Sequence, residues 1–203
     1  TKDEKTLSEK IEPIKKSPLI VFLPTEFETD LRFLVNGPYL TTPARDRPLD
    51  EGNEDLIELT AELVAEIPSL LKDDKNLKSL DLLKIEFYNA LPIRKEDFEK
   101  NDKFISVFHA VKEALLSKEL LPSTKDEHYI SASNAKLARS SDLRKLLLKD
   151  QLSLLFGSDI EWISAEITER SSRTSELYVY LRDVLEIEEI EPDDFVRKVT
   201  ISF

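Results

Sequence analysis

The sequence predicts an α+β fold, mainly helical, with a short N-terminal β portion, and three observations predict it. Between Asn53 and Leu120 apolar residues recur at three- and four-residue intervals, the spacing of helix faces. Before Asn53 they come instead as two short β-branched and aromatic runs, Leu19-Ile-Val-Phe-Leu23 and Leu31-Arg-Phe-Leu-Val35. Residues 36–52 then gather Pro38, Pro43 and Pro48 with Gly37 and Gly52, which makes a shaped loop and not a helix.

Taken in order, residues 1–18 are polar, punctuated by Pro13 and Pro18, and read as a lead-in. The two apolar runs are expected to be strands joined by Thr25-Glu-Phe-Glu-Thr29, so that 19–52 forms a β portion with a motif loop. Asn53 is a helix N-cap, followed by acids in the first turn and by Leu56, Leu59, Leu63, Val64, Ile67, Leu70 and Leu71 on the expected inner face. Pro68 is expected to kink or shorten that helix. A second helix is expected over Leu77–Tyr88 and a third over Glu96–Leu120, with Phe98, Phe104, Ile105, Phe108, Val111, Leu115 and Leu116 inward. A hairpin near 120–132 follows, its tip at Lys125, Asp126 and Glu127. Short helices are expected over Asp142–Leu148, over Asp150–Phe156 ended by Gly157, and over Thr174–Leu185 with Thr174 as cap and Leu177, Tyr178, Leu181 and Leu185 inward. Ile160–Ile163 reads as a strand or connector, and Pro192 opens a last helix. Residues 53–203 are thus expected to form a helical domain.

Composition removes several chemistries. The 203 residues hold no cysteine and two histidines, which leaves no disulfide, thiolate or Cys-based zinc site. A net charge of −12 argues against direct nucleic-acid contact. No apolar run reaches the roughly 20 residues that span a bilayer, and the charged start TKDEKTLSEK is unlike a secretory signal, so a cytoplasmic protein is expected. The missing initiator methionine suggests a piece of a longer chain. Gly37, Gly52 and Gly157 lie too far apart for a phosphate loop, and Asp73-Asp74 and Asp193-Asp194 lack the calcium-loop pattern. No cofactor or metal is therefore expected in this chain itself.

Candidate functional residues remain. His109, within a helical stripe, and His128, at the hairpin tip, are poorly placed as catalytic bases. Glu26, Glu28 and Asp30 alternate beside a strand end, an arrangement that binds a cation, serves acid/base chemistry or merely faces solvent. Arg139 and Arg144, with Arg170 and Arg173, form a basic patch whose bland reading is surface ion pairing. In Phe33-Leu-Val-Asn-Gly-Pro-Tyr-Leu-Thr-Thr-Pro-Ala-Arg-Asp46 the constraints accumulate: a turn, the hydroxyls of Thr41 and Thr42, a stiffening proline, then the Arg45 guanidinium. A guanidinium on a stiff loop suits a phosphate. The competing reading is that Arg45 pairs with Asp46 or Glu26 and holds the loop to the following helix.

That segment, together with Val21-Phe-Leu-Pro-Thr-Glu-Phe-Glu-Thr29, resembles large bacterial proteins with a sacsin-like, heat-shock-chaperone-type (GHKL-type) ATP-binding domain. The text Leu121–Arg139 and Leu152–Trp162 looks like their downstream helical region. The resemblance implies that ATP and Mg bind an upstream domain of the same protein, and that this chain is the end of a transducer-like region followed by helices. It implies a non-catalytic interaction fragment, with an upstream ATP-binding domain, a client or a second copy as partner. Arg45 would then contact the γ-phosphate, with Thr41 and Thr42 supporting the loop and Asp46 orienting the guanidinium. Two alternatives are an autonomous enzyme using Glu26, Glu28 and Arg45, and a component of a DNA-associated defence ATPase.

Overall fold

The computed structural model describes residues 9–125, 128–138, 140–156, 159–168, 175–193 and 196–197. Its architecture is α+β and mainly helical. The chain divides into two units, Thr1–Val111 and Lys112–Phe203, so the boundary expected at 52/53 lies inside the first of them. Among the described residues no helix is long and apolar enough to cross a membrane.

In the first unit, β1 (Pro18–Val21) and β2 (Leu23–Glu28) pair antiparallel, with Val21 opposite Leu23 across Phe22. This corrects the expected pairing: the second strand is the presumed connector, not Leu31–Val35. The reason is local. Phe22 adopts a left-handed conformation (φ 61°) that reverses the chain at once, and Asp30 (φ 58°) ends the ladder. The displaced run still buries Leu31 and Val35, and Asn36 bridges back to Ile20 in parallel.

The loop at 36–52 leads into α1 (Glu54–Asp73). Pro68 neither stops nor shortens this helix, which continues past it to Asp73, and it sits on the buried face with Ala61, Val64, Ala65 and Leu71. The inner face is therefore not the expected leucine stripe. Of the predicted set Val64 and Leu71 are buried, whereas Leu59, Leu63 and Leu70 face solvent at 59%, 62% and 49% exposure. Small side chains on the packed side let the helix approach its neighbours closely.

The second expected helix is broken into α2 (Lys75–Lys78) and α3 (Ile85–Ala90). Asp74 starts the former by accepting from the amides of Asn76 and Leu77, and Asp81 (φ 49°) prevents continuation. The third is likewise split into a 3₁₀ turn over Lys95–Phe98 and α4 (Ile105–Ser117). Between them Asn101 donates to the Glu28 carbonyl at 3.1 Å and so ties the break to β2. The residue after the break, Phe104, anchors the core of this unit. It is 1% exposed, with the rings of Tyr39 and Phe27 at 5.9 and 6.4 Å.

In the second unit β3 (Leu121–Pro122) and β4 (Tyr129–Ile130) form the expected hairpin. A parallel three-stranded sheet then appears; only its strand at Glu161–Trp162 falls where a strand or connector was expected, over Ile160–Ile163, and the other two were not expected. It is ordered β6-β5-β7 from β5 (Ala135–Ala138), β6 (Glu161–Trp162) and β7 (Glu189–Ile190). Around it lie α5 (Ser141–Leu146), α6 (Lys149–Phe156), α7 (Ala165–Thr168) and α8 (Glu176–Val179), the last continuing as a π-helical turn over Tyr180–Val184. All four residues expected inward on that final helix are buried. Its cap is Ser175, which accepts from the Tyr178 amide at 3.2 Å. Trp162 packs with Ala138, Leu143, Leu147, Leu152, Ile160 and Ile190, and donates to the Leu147 carbonyl at 2.9 Å.

Several expectations fall on residues outside those described: part of the lead-in (1–8), the tip residues Asp126 and Glu127, the helix end at Gly157 and the cap at Thr174. Arg139, Arg170 and Arg173 of the basic patch, Asp194, and most of the helix opened by Pro192 lie outside as well.

Candidate functional site

The loop that carries Arg45 is built like a small hairpin. Leu49 donates to the Leu40 carbonyl at 2.9 Å, Thr41 bridges Pro48 antiparallel, and Thr42 donates to the Arg47 carbonyl at 3.1 Å. At its base Asn53, 2% exposed, behaves as a strand would. Its Oδ1 accepts from the Leu40 amide at 2.7 Å, and its Nδ2 donates to the carbonyls of Leu40 (2.9 Å) and Leu49 (3.2 Å). Asn53 thus occupies the expected cap position but spends its side chain on the loop and none on helix amides. Gly52, at φ +89°, takes a left-handed turn that a side chain would strain. Asn53→Ala is expected to cost about 1–3 kcal/mol, because it leaves the Leu40 amide without its acceptor and removes the bonds from Nδ2 to the loop carbonyls, and urea unfolding followed by circular dichroism would measure it.

At the tip, Thr42 donates its hydroxyl to Asp46, which holds the Asp46 carboxyl below its usual range. The Arg45 amide donates to the Thr42 carbonyl at 2.9 Å, and Arg45 itself is left-handed (φ 59°). Its guanidinium reaches back to the β1–β2 turn. Nη2 donates to the Val21 carbonyl and, at 3.3 Å, to the Leu23 carbonyl, the two carbonyls on either side of Phe22.

Arg45 therefore does hold the loop, but through backbone carbonyls of the β hairpin. Among the described residues no ion pair links it to Asp46 or Glu26, and Asp46 serves Thr42 in place of the guanidinium. The clamp brackets Phe22, whose side chain is 86% exposed, with Leu23 beside it at 64%. One guanidinium thus fixes a strained turn that displays an aromatic ring to solvent.

The carboxylates do not converge. Glu26 and Glu28 are exposed on β2, and Glu28 accepts from the Ser17 amide at 2.7 Å. Asp30 is half-buried, and burial pushes its carboxyl above the usual range. A cleft of about 260 Å³ lined by Lys95, Glu96, Phe98, Glu99 and Ile105 contains none of them, nor Arg45. Among the described residues no group of three or more histidine or acidic side chains gathers to hold a metal.

His109 is exposed on α4 with its ring against Phe108. His128 sits in a cluster that the sequence did not reveal. Its Nδ1 lies 3.3 Å from both the Ser123 hydroxyl and the Glu161 carboxylate, and Glu161, 4% exposed, also pairs with Lys149. Both contacts fall on one ring nitrogen, whereas a serine relay uses the two nitrogens for different partners. What the cluster does is tie the β3–β4 hairpin to β6 and α6. Of the basic patch, Arg144 donates to the Thr168 hydroxyl at 2.6 Å. No protein family model, curated protein or solved structure matches this chain.

Proposed function

We propose that this chain is a non-catalytic coupling and interaction fragment of a cytoplasmic, multidomain ATPase of the kind its 21–46 segment resembles. ATP and Mg would bind an upstream domain, and the fragment would convert nucleotide state into a change of domain arrangement. The observation that carries this reading is the Arg45 clamp. Motif loop and β hairpin are one mechanical piece joined by Nη2, while the guanidinium keeps Nε and Nη1 as further donors in the fork geometry that phosphates accept. A γ-phosphate drawn to those donors would pull on the same side chain that fixes the Phe22 turn.

The test is ATP turnover by the protein containing this chain together with its ATP-binding domain. Arg45→Ala is expected to lower turnover by about 10²-fold, the scale of removing one donor from developing negative charge. Arg45→Lys keeps the charge but loses the two-carbonyl clamp, and is expected to fall between. Unchanged turnover in a folded Arg45→Ala protein rules the phosphate contact out. Mg·ATP added to this chain alone is expected to leave its melting temperature unmoved. A saturable rise, which at about 100 times the dissociation constant corresponds to roughly 2.7 kcal/mol, would overturn the division of labour.

A further inference from the structure

The leucines that α1 leaves outside form a second feature, independent of Arg45. Leu56, Leu59, Leu63, Ile67 and Leu70 repeat at steps of three and four residues, which places them within an arc of roughly 80° along about 21 Å of helix. Leu59 and Leu63 are more than half exposed and Leu70 nearly so, and Leu56 and Ile67 lie partly buried between them and the packed face. The spacing is that of a helix-pairing seam. Beside the stripe, on the side away from the core, runs a row of carboxylates at Asp55, Glu58, Glu62 and Glu66, and no basic residue occurs from Glu54 to Leu71.

We propose that this face of α1 docks a single amphipathic helix of a partner protein, one with a leucine-type seam flanked by lysine or arginine. The stripe supplies apolar area for about four helical turns. The one-sided acidic row sets orientation and selects the flanking charge of the partner. A second copy of α1 is a poor occupant, because along the stripe it brings more carboxylates and no positive charge, the helix's single basic residue, Lys72, lying beyond the stripe's end. The proposal stands apart from the nucleotide reading, since no phosphate contact enters it, and its test uses the 203-residue chain without nucleotide.

The probe is a labelled synthetic helical peptide with leucine at the seam positions and lysine on the flanks, with a glutamate-flanked peptide for comparison. Binding followed by fluorescence anisotropy is expected for the lysine peptide and not for the glutamate one. Binding is expected to weaken at least tenfold in the Leu59→Ser/Leu63→Ser/Leu70→Ser variant, and likewise in Asp55→Asn/Glu58→Gln/Glu62→Gln. Circular dichroism checks that both remain folded, as their exposed positions predict. Equal binding to the serine variant would reduce the effect to bulk charge and overturn the proposal. So would sedimentation showing that the unmodified chain dimerises and that the serine variant does not, which would assign the stripe to a second copy.

Discussion

Trp162→Ala is expected to destabilise the second unit by about 3–5 kcal/mol, the range for removing a large buried aromatic ring. Two losses combine. The indole, 2% exposed, fills the space between Leu143, Leu147, Leu152 and Ile190, and a cavity of its size cannot collapse fully against a short sheet. Its Nε1 also satisfies the Leu147 carbonyl at the end of α5, which truncation leaves without that donor. Trp162→Phe keeps most of the packing and is expected to cost about 1–2 kcal/mol, chiefly from the lost hydrogen bond. Urea unfolding followed by circular dichroism measures both. A loss below about 1 kcal/mol for the alanine variant would contradict a core built on this ring.

Phe104→Ala is the counterpart in the first unit, with a similar expected loss of about 3–5 kcal/mol. Phe104 meets Tyr39 from the motif loop and Phe27 from β2, so its removal loosens both at once. The Tyr39 hydroxyl lies 2.6 Å from the Thr60 hydroxyl on α1, which extends the consequence to that helix. Hydrogen exchange is the decisive measurement: protection should fall over 18–28 and over Ala61–Leu71 together. A fall confined to the residues next to 104 would mean that the ring fills space without joining the elements.

Much of the helical scaffold was legible because its signals are local. Asn53 with the acids after it marked the start of α1, and the three- and four-residue spacing marked the inner face of α8. Turn chemistry located the β3–β4 hairpin. What failed depended on partners far along the chain. Periodicity placed the leucines of α1 inward, but the core chose the alanine and proline side, a choice that tertiary neighbours make and a single helix does not record. Of the parallel sheet only β6 was offered, as a strand or connector over Ile160–Ile163; β5 and β7 escaped because strands as short as Glu189–Ile190 carry no alternation to read. In the candidate site the sequence pointed to the shaped loop and to the guanidinium it carries. It did not point to the acceptors, since the Val21 and Leu23 carbonyls belong to the backbone and leave no trace in side-chain identity. Glu161 was equally hidden, a carboxylate in an apolar strand whose partners His128 and Lys149 come from separate elements.

The turn at Phe22 sets stability against display. A left-handed backbone costs a non-glycine residue about 1–2 kcal/mol, and a ring 86% exposed recovers almost nothing by burial. Glycine at this position would relieve the backbone, and the carbonyls that Arg45 grips would still be present. Judged by folding alone, phenylalanine is the inferior residue here, and the guanidinium clamp stabilises a conformation that the local sequence resists. The hairpin tip is therefore a place where a less stable turn carries an aromatic ring that burial does not compensate.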